Sequence, residues 1–318
     1  MSPLYAVTGD AFARIEGEEV TVALAGSAAQ CLARDPHAEA TVYVGSRGRG
    51  VSKSEDGGDS WLELDFPEPD VFSVAVSAAD GTVYAGCEPS MLFRSRDGGG
   101  TWEELPTLRE IPSAPTWSFP PRPWTSHVRW IAPSPHEAGL LLAGIELGGL
   151  MRSEDGGTTW SDHRPGAQRD VHALAWHPRV PDRAYEAAGG GATWSFDGGR
   201  SWRPADEGRD RHYTWALAVD PEDPDCWFVS ASTGPLQAHS GRPAEACVYR
   251  WRGDGPWQPL DGGLGLPLDA MPYALAAGDD RLFLGLADGR LWESADHGER
   301  WTEVPLRGDR LSAILALA

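Results

Sequence analysis

The chain has 318 residues, 41 % of them hydrophobic and 23 % charged, with 38 Gly and 26 Pro, which is an ordinary globular composition and excludes a low-complexity one. Its formal charge is −20, from 27 basic against 47 acidic residues. A phosphate backbone or an anionic membrane is repelled over most of such a surface, so neither nucleic acid nor a membrane is expected as a partner. No apolar run approaches the roughly 18 residues of a membrane span, and the segment from Met1 to Tyr5 lacks the basic and apolar regions of a signal peptide, so a cytoplasmic protein is expected. The four cysteines, Cys31, Cys87, Cys226 and Cys247, form no CxxC pair and read as small buried residues.

The chain opens with three short apolar stretches, Leu4 to Val7, Ala11 to Glu16 and Glu19 to Ala25. Beyond them a unit of roughly 41 residues begins to recur. Its clearest mark is the turn Ser54-Glu55-Asp56-Gly57-Gly58-Asp59-Ser60-Trp61, repeated from Ser95 to Trp102, Ser153 to Trp160, Ser195 to Trp202 and, with one Gly lost, Ser294 to Trp301. Arg252 to Trp257 is a worn sixth copy. Asp-Gly-Gly between strands is a hairpin signal, because glycine accepts positive φ and Asp bonds nearby backbone N–H groups.

Upstream of each Trp stands a large residue followed two places later by a small one: Tyr43/Gly45, Tyr84/Gly86, Leu142/Gly144, Tyr185/Ala187, Phe228/Ser230 and Phe283/Gly285. Their distances to the Trp are 18, 18, 18, 17, 29 and 18 residues, so only the fifth unit carries an insertion there. A further apolar run precedes each pair and ends in a Pro in four of them, at Pro36, Pro135, Pro178 and Pro221, with looser copies near Ala78 and Asp279. Each unit therefore reads as four strands, exemplified by Val171 to Trp176 (A), Arg183 to Ala188 (B), Ala192 to Ser195 (C) and Ser201 to Pro204 (D). Six complete units leave two ends that complement each other, Leu311 to Ala318 supplying strand A to the three N-terminal stretches. The expectation is an all-β, seven-bladed β-propeller of four-stranded antiparallel blades. It forms a single domain over 1–318, its first blade shared by 309–318 and 3–27.

The S-x-D-x-G-x-x-W turns resemble the Asp boxes of BNR-repeat propellers, the superfamily of sialidases, sortilin-type receptors, xyloglucanases and photosystem assembly factors. The resemblance implies that Asp56, Asp97, Asp155, Asp197 and Asp296 are structural and lie on the rim away from any active site. It also offers two kinds of function, a glycoside hydrolase-like or uronate lyase-like enzyme and a non-catalytic assembly scaffold. The sialidase Arg-Ile-Pro motif is absent, with Arg14-Ile15-Glu16 its nearest trace, and sialidase chemistry is not expected.

Two insertions, about 103–127 and 231–246, fall on connections expected at the face opposite the repeated turns, which suggests that this face meets the ligand. The first holds Trp117, Phe119, Trp124 and five prolines from Pro112 to Pro123, and reads as an aromatic lid or a packed cover. Aligned A strands place Gln30, Phe72, Arg129, His172, Trp215 and Tyr273 at one position near the channel mouth. Two residues earlier lie Asp70, His127, Asp170, Tyr213 and Met271, on the same face because side chains alternate with period two. Strand B ends add Arg47, Glu88 and Glu146.

Aromatic platforms with a few convergent polar groups are what a small-ligand pocket needs. The expected ligand is a carbohydrate or another polar or anionic small molecule, and a protein partner is the alternative. His172, Arg129, Tyr213 and Glu146 are the candidates for chemistry. In a lyase step Arg129 would neutralise a carboxylate while His172 or Tyr213 removes the adjacent proton. Gln30, Arg47, Glu88, His127, Asp170, His212, Trp215 and Tyr273 are the candidates for binding. No cofactor is assigned, although His127, His172 and His212, near the starts of three successive A strands, offer a metal alternative.

Overall fold

The repeated turn closes on itself through its own side chains. In the first copy Ser54 Oγ donates to Asp56 Oδ1 at 2.8 Å and accepts from Gly58 N at 2.8 Å, while Asp56 Oδ1 takes Ser60 N at 2.9 Å. Gly57 and Gly58 sit at φ 73° and 97°, which only glycine adopts without strain. The Asp97, Asp155, Asp197 and Asp296 copies repeat the pattern. These carboxylates are committed to the turn, and hydrogen bonds from Ser60 and Ser54 hold the Asp56 pKa down to about 2. Where the last copy has lost a glycine, His297 takes φ 56°.

In a computed structural model, which describes residues 3–119, 125–241, 243–278 and 281–318, these turns join the outer strands of a seven-bladed β-propeller. From the second blade onward the A strands are Ala29–Asp35, Val71–Val76, Val128–Pro133, Val171–Trp176, Tyr213–Val219 and Pro272–Ala277. The B strands are Ala38–Ser46, Val83–Cys87, Leu141–Ile145, Ala184–Ala188, Cys226–Ser232 and Leu282–Leu286. All A/B pairs are antiparallel. Strand D of blade 4 is reduced to a bridge between Arg152 and Ser161. Among the described residues no helix is long and apolar enough to cross a membrane.

Blade 1 closes the ring as expected. Ala316–Leu317 pairs antiparallel with Leu4–Val7, reinforced by Tyr5 N to Ala318 O at 2.8 Å and Ala318 N to Tyr5 O at 2.9 Å. A fifth strand that the sequence did not suggest, Arg307–Gly308, lies parallel to Glu19–Ala23 at the outer edge.

Seven apolar clusters fill the gaps between successive blades. The small residue of each strand B explains how closely the blades meet. A β-carbon on Gly144 would lie 2.4 Å from Val171 Cγ1; on Gly45, 2.5 Å from Val71 Cγ1; on Gly86, 2.6 Å from Val128 Cβ; and on Gly285, 2.3 Å from Ile314 Cγ2. Facing these points, the A strands bulge. The ladder skips one residue between Ala29 and Cys31, Val71 and Ser73, Val128 and Trp130, Val171 and Ala173, and Pro272 and Ala274, and two between Thr214 and Leu217. The skipped residues include Gln30, Phe72, Arg129, His172, Trp215 and Tyr273, all six of the aligned channel-mouth positions. Strict alternation is therefore broken there, because a bulge turns its extra side chain out of the pleat.

One buried acid stands apart from the turns. Glu186 on strand B of blade 5 has no exposed surface, and its carboxyl meets Thr193 Oγ1 and the Gln168 amide at 3.0 Å. Burial pushes its pKa up to about 7.

Two outcomes follow for measurement. Gly144→Ala should lower unfolding free energy by roughly 1–3 kcal/mol through overpacking against Val171, read from a denaturant melt with an unchanged m-value. Glu186 binds its proton more tightly in the folded state, so its contribution is complete below about pH 4.5 and fades as pH rises through 7. Replacing it with Gln should remove up to about 3 kcal/mol of stability decline across that window, seen as a flatter plot of Tm against pH.

Candidate functional site

The bulged residues and the strand ends beside them enclose a cavity of about 660 Å³ at the channel mouth. Gln30, Arg47, Glu88, His127 and Arg129 line it on one side. Glu146, Asp170, Tyr213, Trp215 and Tyr273 continue the wall. Both insertions reach the same cavity, one through Phe119 and the other through Pro235 and His239. Trp117 is buried against Leu105, Leu108 and Ile111, so that part of the first insertion is a packed cover. The lid reading of Pro123 and Trp124 lies outside the described residues.

One wall is an ionic cluster laid on aromatic rings. Glu146 Oε2 accepts from His127 Nε2 at 2.6 Å and stands 3.7 Å from Arg129 Nε. Burial alone would raise the Glu146 pKa, but the His127 hydrogen bond and the Arg129 charge prevail and hold it at about 2. His127 stacks on Phe72 with centroids 4.1 Å apart, and its Nδ1 lies 3.8 Å from Glu88 Oε2. The Arg129 guanidinium lies over Trp215 at 4.7 Å and that of Arg47 over Phe72 at 4.9 Å. Among the described residues neither guanidinium makes a hydrogen bond, and Arg129 Nε is fully buried without one.

The opposite wall is a chain of neutral donors. Tyr273 O–H donates to Ala238 O at 2.9 Å, so its oxygen receives His239 Nδ1–H at 2.8 Å, and His239 Nε2 accepts from Tyr213 O–H at 2.9 Å. Desolvation of the ring, aided by the nearby His172, pushes the His239 pKa down to about 4 and leaves it neutral. Burial pushes Tyr213 up. His239 escaped the sequence reading because it sits on the short helix Pro235–His239, inside an insertion with no repeat partner to align against.

Two candidates fall elsewhere. His172 is the bulged residue of blade 5, but its side chain has no exposed surface; it lies beneath the cavity, Nδ1 donating to Thr214 O at 2.6 Å. His212, one residue out of phase with Tyr213, is exposed and does not line the cavity. The three histidines do not form a ligand set among the described residues, because His127 is directed to Glu146 and His212 to solvent.

No protein-family model and no curated protein matches the chain. Among solved structures it is similar to an ancestral GH74 enzyme, with a TM-score of 0.70 and 18 % identity over 96 % of this chain and 40 % of that one. It is also similar to the GH74 xyloglucanase from Xanthomonas campestris, at 0.66 and 17 % over 86 % and 45 %. A third is YCF48 bound to D1 peptide, at 0.59 and 16 % over 86 % and 81 %. What is shared at these identities is the seven-bladed propeller, the fold that the BNR-type turns suggested. The chain spans less than half the length of either GH74 structure.

Tyr273→Phe removes the acceptor of His239 Nδ1–H and should loosen the insertion helix. Faster amide exchange confined to about 231–246, with Tm lowered by only a few degrees, is the outcome expected from hydrogen-exchange mass spectrometry.

Proposed function

We propose that the protein binds a polar, anionic small molecule, an acidic sugar by the character of the walls, in the cavity at the channel mouth. The observation that carries this reading is Arg129: its side chain is 13 % exposed and fixed over Trp215, yet none of its N–H donors has a hydrogen-bond acceptor among the described residues. A buried N–H without an acceptor, here Arg129 Nε, is costly, and a carboxylate matches a guanidinium's paired N–H groups. Arg47 on Phe72 supplies a second such group, and Trp215, Tyr273 and Phe119 supply faces for a sugar ring. The GH74 neighbours are carbohydrate-active by name, which agrees with this class of ligand. Tyr213 is engaged by His239 and His172 is covered, so the reading concerns binding and assigns proton transfer to neither.

A second reading, a peptide-binding scaffold, is favoured by two exposed leucines, Leu147 on the cavity wall and Leu236 on the insertion helix beside it, 39 % and 53 % exposed. YCF48, whose structure holds a D1 peptide, has the same fold.

The test is a calorimetric and thermal-shift series with galacturonate, glucuronate, their methyl esters and the neutral sugars. Free uronates should raise Tm with concentration, esters and neutral sugars should not, and Arg129→Ala or Arg47→Ala should weaken binding by about 10- to 100-fold. Equal binding of acid and ester would refute the anionic reading. Capture of a peptide that survives Arg129→Ala and is lost in Leu147→Asp would favour the scaffold instead.

A further inference from the structure

The floor of the cavity holds a group that the binding reading leaves unused. His172 donates its Nδ1–H to Thr214 O at 2.6 Å, which leaves Nε2 as the ring atom directed to the cluster. That atom is buried and has no hydrogen-bond partner among the described residues. It faces Asp170 Oδ2 at 3.5 Å. One carboxylate oxygen of Glu146 joins them, the three ligand atoms all lying within 4.8 Å of one another.

One ring nitrogen and two carboxylates converging on one point need an electropositive centre between them, either a metal ion or a proton on Nε2. We propose that His172 Nε2, Asp170 and Glu146 bind a divalent transition-metal ion, Zn²⁺ or Mn²⁺ by donor type, with its open coordination position towards the cavity. For metal–ligand bonds of about 2.1 Å, the edge of a tetrahedron is about 3.4 Å, which the His172 to Asp170 separation of 3.5 Å matches, while the Glu146 oxygen lies within 4.8 Å of both. The outer contacts are those that orient metal ligands: a backbone carbonyl on the far nitrogen of His172, and His127 on the Glu146 carboxylate. Two carboxylates and one histidine leave a four-coordinate ion one vacant position, the arrangement of a site that meets exogenous ligand.

Charge agrees with the same assignment. Glu146, Asp170 and Arg129 together carry −1, and a divalent ion brings the group to +1, which a monoanionic ligand would neutralise. In that last respect the inference rests on the proposed anion site, while the metal set itself does not. The other three-residue group with ligand spacing, Asp220, Cys226 and His297, lacks this feature, since Asp220 already receives the Glu222 and Asp223 amides and His297 Nδ1.

The experiment is elemental analysis of protein purified without chelator, followed by calorimetric titration of the chelated protein with Zn²⁺ and with Mn²⁺. One equivalent should bind, and Asp170→Asn and Glu146→Gln should each weaken it by at least about tenfold while circular dichroism shows a folded propeller. The ¹⁵N shift of His172 Nε2 should move on adding Zn²⁺. Absence of stoichiometric binding would overturn the proposal. So would a His172 ring found protonated at both nitrogens at neutral pH and unchanged by Zn²⁺, because the cation in the cluster would then be the imidazolium itself. Metal binding that persists in Arg129→Ala, and uronate binding that persists after chelation, would each show one reading standing without the other.

Discussion

The distance between neighbouring blades is the constraint on which the rest depends. At Gly45, Gly86, Gly144 and Gly285 a β-carbon would fall 2.3 to 2.6 Å from a side-chain atom of the following blade. Seven twisted sheets can close into a ring only if their inner strands approach this far, and the closed ring leaves no unpaired inner edge. The requirement repeats in every blade because the geometry repeats, so a small residue recurs at one place in strand B. Where the residue is Ser230, its hydroxyl takes up the contact instead, donating to Pro272 O of blade 7 at 2.7 Å.

The same approach builds the site. A bulge in six of the A strands gives each one or two residues that need not pair. Their side chains leave the ladder near the channel mouth, where the scaffold is rigid and the identity of the residue is unconstrained by the fold. The result is a ring in which glutamine, phenylalanine, arginine, histidine, tryptophan and tyrosine occupy equivalent places. Chemical diversity at positions of structural equivalence is what allows one scaffold to carry unrelated functions. Arg129 and His172 show how far neighbours in that ring differ: one lies against the cavity with unused donors, the other is sealed beneath it with a ring nitrogen that has no hydrogen-bond partner among the described residues.

The blade count and strand order were legible because turns and close contacts act locally and are repeated. Ser-x-Asp-x-Gly needs particular atoms at fixed offsets, and the alignment of strand A followed from it. What resisted was everything that occurs once. His239 comes from an unrepeated helix, Glu186 from a B strand whose neighbours gave no hint that its acid would lie between blades, and Arg307–Gly308 from a tail with no equivalent. Alternation places His127 and Arg129 on one face, whereas the bulge at Arg129 is what directs it to the mouth. His212 marks the limit of that alignment, since one residue of offset from Tyr213 moves it from cavity to solvent.

The charge of the exterior and the unused donors of the mouth act over different distances, and the difference bears on ligand size. The chain carries −20, yet the mouth presents two guanidinium groups with no hydrogen-bonded partner among the described residues. At physiological ionic strength charges are screened over about 8 Å, so a small anion inside the cavity feels the lining, Arg129 and Arg47 against Glu88, Glu146 and Asp170, far more than the acidic exterior. A long acidic polymer crossing the outer surface feels both, and the outer field opposes it along its whole length. On the proposed reading, the chemistry of the mouth and the charge of the exterior are satisfied together only by a ligand that is itself small, or by one that presents a single acidic end to the cavity and keeps the remainder uncharged. The exposed Leu147 and Leu236 at the rim suit an uncharged remainder, because apolar contact there adds affinity without a further charge having to approach the acidic face.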